Sequence, residues 1–461
     1  MLTTQAERPR AVLVGVQVPE VSDEEHAANL AELERLVHTL GFDTVARVSQ
    51  KRGGMSGTVL GSGKLKQLAR LTGGPGVVGS GAATKISKAK EKWEEAQEDE
   101  AEAPEDDDVD VDDGEVLAEK ATVVVVDGEL SPSQLRNLEK ATGVMVLDRT
   151  GVIVDIFHRH ARSREARMQV EIARLNYLAP RLRESTGRSE RQAGRGSGDS
   201  ALELDRRKIR DRLAELKESL ATIATDQEQR RYARKDQLRV ALVGYTNAGK
   251  SSLMRALTGS EVLVADQLFA TLDTTVRALQ PESRPRILVS DTVGFIQKLP
   301  HDLVASFRST LDEALEASLL LHVVDASDPG FPAQLEVTRT VLREIGAEDV
   351  PGRLVLNKAD RLDAAAKAAL RERYPEAVIL SAHSPQDVAA LRQTVIDFFD
   401  GLMGEATLMI PYASQNRLGE VYEHARVVSE TYDEAGRHLV VRALPAALAR
   451  LQAAFPGSIG P

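Results

Sequence analysis

The 461-residue sequence contains no cysteine, few aromatic residues and no long apolar run. Without cysteine, the chain forms neither disulfide bonds nor thiolate metal sites, which agrees with a reducing compartment. No apolar stretch approaches the roughly 20 residues that span a bilayer. The first residues also lack the basic and apolar segments of a signal peptide. We therefore expect a soluble, cytoplasmic protein without stable membrane insertion.

The net charge of −11 is the sum of two regions of opposite sign. Residues 91–115 hold fifteen Asp or Glu against the single Lys92, a net charge of −14, so the rest of the chain carries +3. Residues 157–240 hold 21 Arg or Lys against 13 Asp or Glu. With 42% hydrophobic residues, the chain is long enough for two to four domains, and its acidic and basic stretches need separate interpretations.

Strands and helices alternate over residues 1–156, which predicts a small parallel α/β domain. The expected strands lie at 11–16, 44–48, 122–126 and 143–147, and the expected helices at 24–40, 63–71 and 131–141. Residues 76–118 interrupt this pattern, first with Gly, Ala and Ser and then with acids. Such a composition predicts a disordered insertion, either a solvated loop without a specific role or a segment that tunes charge or contacts a partner.

Residues 157–236 predict an antiparallel helical hairpin. Helical patterns cover 163–183 and 203–234. The tip, 185–201, is rich in Gly, Arg and Ser and carries Arg188, Arg191 and Arg195. These arginines either contact the phosphates of a nucleic acid, the sequence-independent part of its recognition, or belong to an ordinary exposed loop.

A phosphate-binding loop begins the next domain, 237–401. An apolar strand at 239–243 runs into residues 244–251, which read G-x4-G-K-S, and a helix follows at 252–257. This is the context that a P-loop requires, because backbone N–H groups and the helix N-terminus then face the phosphates. Lys250 is expected to contact the β- and γ-phosphates, and Ser251 to bind Mg²⁺.

Three later motifs follow predicted strands and indicate a guanine nucleotide. Asp291 to Gly294 supply the Mg²⁺ shell and an N–H for the γ-phosphate, Asp360 accepts from guanine N1–H and N2–H₂, and the N–H of Ala382 binds guanine O6. The predicted ligands of GTP and GDP are Gly244, Tyr245, Thr246, Asn247, Ala248, Gly249, Lys250, Ser251, Ser252, Phe269, Ala270, Thr271, Leu272, Asp273, Asp291, Thr292, Val293, Gly294, Asn357, Lys358, Asp360, Ser381, Ala382 and His383.

The segment before the strand at 276–279 is the expected switch I. Three of its threonines compete for Mg²⁺, and we assign Thr271, with Thr275 as the alternative. Together with Ser251, Thr271 forms the predicted metal site. The residues predicted to act in hydrolysis are Lys250, Thr271, Gly294 and Asn247.

Phe295 follows the Asp-x-x-Gly motif, where many GTPases carry a glutamine that orients the attacking water. A phenylalanine cannot bond water, so intrinsic hydrolysis is expected to be slow, about 10⁻⁴ s⁻¹, and to depend on a partner or an ion. Asn247 is the candidate to hold K⁺ beside the phosphates; alternatively, it only shapes the loop.

The last domain, 402–461, predicts a small α+β unit. The order is strand, helix, strand, strand, with a strand at 406–410, a helix at 417–430, a final strand at 439–443 and a turn at Gly436.

These residues resemble the HflX family of ribosome-associated GTPases over nearly the whole chain. The resemblance rests on 244–252, 268–273, 291–296 and 299–304 in the nucleotide-binding part, and on 61–65, 147–151, 155–157, 161–162 and 202–207 before it. It implies binding of the large ribosomal subunit and its RNA through the hairpin tip, splitting or rescue of stalled ribosomes, and hydrolysis stimulated by the ribosome. Three features differ from the family pattern: Thr274 replaces Pro, 198–200 read Gly-Asp-Ser instead of Gly-Glu-Thr, and the acidic insertion is extra.

The predicted architecture is thus a P-loop GTPase domain with an N-terminal parallel α/β domain, a helical hairpin and a C-terminal α+β domain, expected as a monomer with Mg²⁺ as cofactor. Two alternative functions remain open at this point. One is a ribosome-assembly or anti-association GTPase without splitting activity. The other is a non-ribosomal, RNA-linked regulatory GTPase whose hairpin contacts a protein. The Arg-rich tip disfavours this alternative, because a protein-binding hairpin more often has an apolar tip.

Overall fold

The computed structural model describes residues 8–54, 57–78, 120–185, 198–232, 237–260, 268–269, 274–298 and 308–455. The chain divides into two compact units, Met1–Val152 and Ile153–Pro461. The described part of the chain contains no helix that is both long and apolar enough to cross a membrane.

The first unit is built on a four-stranded parallel sheet. The strands are β1 (Arg10–Gln17), β2 (Asp43–Lys51), β3 (Val123–Val126) and β4 (Met145–Asp148), in the order β2-β1-β3-β4. The helices are α1 (Asp23–Thr39), α2 (Ser62–Thr72) and α3 (Pro132–Thr142). The predicted parallel α/β domain is therefore confirmed. The predicted acidic insertion lies outside the described residues except for 76–78.

Local sequence explains where these helices begin and end. Ser22 caps α1 by accepting from the N–H of Glu25. Ser131 and Gln134 form a reciprocal capping box at the start of α3, and α3 begins with Pro132, whose missing N–H costs nothing there. Gly143 ends α3 in the left-handed region, which glycine adopts without strain.

A helix that the sequence pattern did not predict, α4 (Arg149–His160), follows β4. Its Gly151 and the β-branched run after it are typical of non-helical segments. The Asp148 carboxylate accepts from the Gly151 N–H at 2.8 Å. This contact satisfies one of the free donors at the helix start, and an Asp three residues before a backbone donor is the signal that was missed.

The second unit begins within α4 and continues with two long helices, α5 (Arg164–Ser185) and α6 (Gly198–Tyr232). Met168 and Ile172 of α5 pack with Leu216 of α6 in one apolar cluster. Glu171 accepts from Arg212 at 2.8 Å. The contacting residues lie at similar distances along the chain from the connection at 186–197, as expected for an antiparallel hairpin.

The central sheet of the second unit has the order β10-β9-β8-β5-β7-β6 and is parallel except for β6. Its strands are β5 (Leu238–Val243), β6 (Thr275–Ala278), β7 (Ile287–Asp291), β8 (Leu319–Asp325), β9 (Gly352–Asn357) and β10 (Val378–Ile379). Its helices are α7 (Lys250–Thr258), α8 (Arg308–Leu315), α9 (Phe331–Glu344), α10 (Ala364–Arg373) and α11 (Pro385–Leu402). The parallel strands end on the same edge, where ligands bind in open α/β sheets.

The second unit also contains an antiparallel sheet of the order β11-β13-β12, formed by β11 (Gly404–Pro411), β12 (Arg426–Tyr432) and β13 (Gly436–Ala443). The helix predicted over 417–430 was wrong in its second half, because α12 spans only Leu418–His424. The valines and Tyr432 that follow favour a strand, and they pair with β13. A helix that was not predicted, α13 (Pro445–Ala454), begins with a proline, the residue favoured at the first helical position.

Candidate nucleotide site

The loop between β5 and α7 requires its two glycines. Gly244 has φ +153, and a Cβ there would lie 2.1 Å from the carbonyl oxygen of Val323 on β8. Gly249 has φ +92, and a Cβ there would lie 2.3 Å from the amide nitrogen of Asn357. Side chains at either position would therefore force the loop away from the neighbouring strands. The close packing places the backbone of the loop at the start of α7, where N–H groups can bind phosphate.

Lys250 is the first residue of α7, and its side chain turns back under the loop. The ammonium group donates to the carbonyl of Gly244 at 3.0 Å and to that of Tyr245 at 2.9 Å. Burial lowers the pKa of Lys250 to about 8, although the nearby carboxylate of Asp291 favours the charged form. The loop thus holds a positive charge inside the turn where a triphosphate is expected.

Ser251 and Asp291 form the oxygen-rich part of the site. The Ser251 hydroxyl donates to a carboxylate oxygen of Asp291 at 2.7 Å. Hydroxyl and carboxylate oxygens are the ligands that Mg²⁺ takes beside phosphates, so these residues fit a magnesium ion. No group of three or more His, Asp or Glu side chains suited to a metal occurs among the described residues.

The segment after β7 is joined to the P-loop by backbone hydrogen bonds. Thr246 N–H donates to the carbonyl of Phe295 at 2.8 Å, and Phe295 N–H donates to that of Gly244 at 3.1 Å. The hydroxyl of Tyr245 accepts from the N–H of Gln297 at 2.7 Å. A Cβ at Gly294 would lie 3.0 Å from the ammonium nitrogen of Lys250. Gly294 therefore lies close to Lys250, the residue predicted to contact the phosphates.

Two side chains of this segment, those of Thr292 and Phe295, contact the protein interior. The hydroxyl of Thr292 donates to the carbonyl of Leu242 at 2.7 Å, so it fastens β7 to β5. The ring of Phe295 is 2% exposed and belongs to the buried interior. Neither side chain is available to orient a water molecule.

Asn357 links the phosphate end of the site to the base end. Its amide nitrogen donates to the carbonyl of Ala248 at 2.9 Å, and its amide oxygen accepts from the N–H of Ala382 at 3.1 Å. The side chain is almost fully buried. A single amide thus fixes the P-loop and the loop of Ala382 relative to each other. The Ala382 N–H, which the sequence assigns to guanine O6, already has this acceptor.

Asp360 and Lys358 are held by partners from neighbouring loops. Ser381 donates to the Asp360 carboxylate, and this hydrogen bond is the main reason why the pKa of Asp360 is lowered. Lys358 pairs with Asp325 at 2.7 Å. Burial alone would raise the pKa of Asp325, but the bonds from Lys358 and Ser327 outweigh burial and lower it. Both carboxylates are therefore held in the ionised form.

Two carboxylates of the base end were not predicted from the sequence. Asp325 ends β8 and pairs with Lys358, and its position at the carboxyl edge of the sheet was the available signal. Asp387 in the first turn of α11 accepts from the N–H of Ser381 at 2.9 Å. Its spacing of six residues from Ser381 has no general meaning in sequence, so only the structure reveals it.

The remaining predicted residues fall into three groups. Asn247 is exposed with φ +61, Val293 is buried, Ser252 lies in the first turn of α7, and the N–H of His383 donates to the Ser381 hydroxyl. Thr275 begins β6 opposite Asp291, and Phe269 is buried against Phe157. Outside the described residues lie Ala270, Thr271, Leu272, Asp273, Arg188, Arg191 and Arg195.

This sheet, with its G-x4-G-K-S loop, its Asp-x-x-Gly segment and its Asn-Lys-x-Asp base loop, defines a GTP hydrolase of the P-loop class. The chain is 66% identical over 452 residues to the GTPase HflX of Gluconacetobacter diazotrophicus. This match covers 98% of this chain and 99% of the relative. It belongs to the HflX family of GTPases. The GTPase HflX of Alkalihalophilus pseudofirmus is 36% identical (95% of this chain and 94% of the relative), and that of Escherichia coli is 42% identical (70% and 77%).

Three family models match consecutive parts of the chain. They are described as GTP-binding GTPase N-terminal (residues 111–158), GTP-binding GTPase middle region (160–234) and 50S ribosome-binding GTPase (239–358). Among solved structures, a GTP-binding protein from Sulfolobus solfataricus in complex with GDP is 23% identical, with a TM-score of 0.43 and coverage of 84% of this chain and 98% of that one. Era from Aquifex aeolicus bound to GDP and AlF₄⁻ is 22% identical, with a TM-score of 0.30 and coverage of 35% and 57%.

Proposed function

We propose that this GTPase binds the large ribosomal subunit and uses GTP binding and hydrolysis to split or rescue stalled ribosomes in the cytoplasm. The carrying observation is that the P-loop, the Asp-x-x-Gly segment and the Asn-Lys-x-Asp loop meet at one edge of the sheet, in a chain that also has a helical hairpin before this sheet. The description of the family model matched at 239–358, a 50S ribosome-binding GTPase, supports the same partner. The division into domains at 1–156, 157–236, 237–401 and 402–461 and the monomeric state are parts of this proposal.

Lys250 and the P-loop amides bind the phosphates, and Asp360 selects guanine. Ser251 and Thr271 hold Mg²⁺, with Thr275 as the alternative, and Asn247 is the candidate ligand for K⁺. When bound, Mg²⁺ neutralises charge on the phosphates. The N–H of Gly294 bonds the γ-phosphate, which its place beside Lys250 supports.

The need for a partner follows from Phe295. Because its ring is buried and apolar, this position supplies no group that orients the attacking water. Intrinsic hydrolysis should therefore remain near the ~10⁻⁴ s⁻¹ of an unassisted GTPase, and a stimulated site can be up to about 10⁵-fold faster. We propose the ribosome as the source of this stimulation.

The length of the hairpin and the arginines of its tip support the proposal that the partner is large and charged. The 35 residues of α6 correspond to a helix of roughly 50 Å at 1.5 Å per residue. Met168, Ile172 and Leu216 form an apolar cluster between α5 and α6, and the Glu171–Arg212 pair joins the same two helices. The proposed ribosomal contacts, Arg188, Arg191 and Arg195, belong to the segment that joins the two helices.

The test is the GTPase rate of the full chain with and without purified large subunits, beside a variant lacking residues 187–200. We expect strong stimulation of the full chain, and unchanged nucleotide affinity without stimulation in the variant. Absence of stimulation in the full chain would remove the proposal. Sedimentation of 70S ribosomes with a non-hydrolysable GTP analogue then decides between splitting and mere binding, because binding without subunit separation favours an assembly or anti-association role.

A further inference from the structure

Two phenylalanines from distant parts of the sequence form an edge-to-face pair in the second unit. The rings of Phe157 on α4 and Phe269 have centroids 4.5 Å apart and planes at 75°. Phe157 is 0% exposed and Phe269 is 3% exposed. This is the favourable T-shaped arrangement of two aromatic rings, so the Phe269 side chain packs against α4.

Phe269 is held in an unusual backbone conformation within the predicted switch I. Its φ is +58°, in the left-handed region that bulky residues rarely adopt. Such a conformation persists only where surrounding packing fixes it, and the contact with Phe157 provides that packing. Phe269 belongs to the same predicted segment as Thr271, the proposed magnesium ligand.

The helix that carries Phe157 is itself firmly held at its first residue. The Arg149 guanidinium is buried, bonds to Asp127 at 2.8 Å and contacts the carboxylate of Glu32. Phe157 follows eight residues later, about 12 Å along a helix. Arg149 thus fixes the start of the helix within the first unit, and Phe157 lies on the part of the helix that belongs to the second unit.

We propose that Phe157 is a positioning residue for the GTPase site, acting through Phe269, and that this pair links the nucleotide state to helix α4. The inference rests on the proposed assignment of switch I. Switch I makes different contacts with GTP and with GDP, because only GTP presents the γ-phosphate. If the pair is favoured by one nucleotide over the other, then by reciprocity the loss of Phe157 must change the relative affinities for the two.

The experiment measures Kd for GDP and for a non-hydrolysable GTP analogue, both with Mg²⁺, in the full-length chain and in Phe157→Ala and Phe157→Leu. We expect Phe157→Ala to change the ratio of the two affinities at least about fivefold, and the apolar but non-aromatic leucine to change it less. A residue with a merely structural role would alter both affinities in proportion and leave the ratio constant.

Phe398→Ala is the matched control. Phe398 forms the same type of pair with Phe399, at 5.3 Å and 78°, within α11, and it lies outside the proposed link. Its loss should leave the ratio unchanged. Hydrogen exchange supplies the second measurement: amides of α4 in the unmodified chain should exchange at different rates with GDP and with the analogue, and this difference should vanish in Phe157→Ala.

An unchanged affinity ratio in both Phe157 variants would overturn the link, as would equal exchange of α4 with both nucleotides in the unmodified chain. Circular dichroism checks that the variants fold; if the alanine variant does not, the leucine variant and the unmodified chain decide. Failure of the unmodified chain to bind either nucleotide would instead refute the nucleotide site, so the two failures are distinguishable.

Discussion

The Ser381 hydroxyl donates to the Asp360 carboxylate at 2.5 Å. Asp360 is exposed, and the bond from Ser381 is the largest contribution to its lowered pKa. The serine therefore fixes one oxygen of an ionised acceptor at the base end of the site. The carboxylate can then accept from the N–H groups of a guanine, whereas an adenine offers no donors in that arrangement.

Replacing Asp360 by Asn should exchange the base preference. The amide removes the acceptor for the 2-amino group of guanine and offers a donor to the 2-oxygen of xanthine. We expect GTP affinity to fall about 10- to 100-fold, since a hydrogen bond to a charged acceptor contributes about 1.5–3 kcal/mol, and xanthosine triphosphate affinity to rise. Fluorescence titration with both nucleotides measures this. Equal GTP affinity in the variant would refute the assignment of the base site.

The lowered pKa of Lys250, about 8 in the free protein, predicts proton uptake on nucleotide binding. The triphosphate favours the charged ammonium and raises this pKa, so the complex holds a proton that part of the free protein has lost. At pH 8 we expect about half a proton taken up per nucleotide, almost none at pH 6.5, and weaker affinity as the pH rises above 8.

Calorimetry in buffers of different ionisation enthalpy measures this uptake directly. Lys250→Arg is the control, because its guanidinium stays charged over this range and should show no lysine-linked uptake. A proton count that does not change between pH 6.5 and 8 in the unmodified chain would contradict the buried position of Lys250.

Asn357→Ala should loosen both ends of the site at once. The variant loses the bonds to Ala248 and Ala382. It leaves a buried carbonyl without this partner, at a cost of about 1–3 kcal/mol, and also removes the acceptor of a partly buried N–H. We expect GDP and GTP to bind at least about 10-fold more weakly, chiefly through faster release, which stopped-flow dissociation of a fluorescent nucleotide measures. Gln393→Ala is the control, because this exposed side chain bonds to Asp397 within α11 and its loss should leave the release rate normal. Normal release from Asn357→Ala as well would contradict the linking role of the amide.

Arg149→Met should destabilise the first unit without affecting nucleotide affinity directly. The substitution leaves the buried carboxylates of Asp127 and Glu32 without their cation, which typically costs about 3–5 kcal/mol. Arg212→Met is the comparison, because its pair with Glu171 is exposed and such pairs contribute about 1 kcal/mol or less. Urea unfolding measures both. Similar losses in the two variants would show that burial of the Arg149 cluster has no special cost.

Much of this molecule could be predicted because its signals are local. The P-loop glycines, the strand before Asp291 and the capping residues of α3 each depend on a few neighbouring residues. The missed features depend on distant partners: α4 contradicts its own propensities and is held by Asp148 and Arg149, and β12 forms because β13 supplies hydrogen bonds. The contact between Phe157 and Phe269 joins residues with no common sequence signal.

The most direct test of the account is a competition between guanine and adenine nucleotides for the purified full-length chain with Mg²⁺, repeated with Lys250→Ala. We expect GTP and GDP to bind at least about 10⁴-fold more tightly than ATP and ADP, and the alanine variant to lose most of its affinity for GTP. Equal binding of adenine and guanine nucleotides, with no loss in the alanine variant, would contradict it.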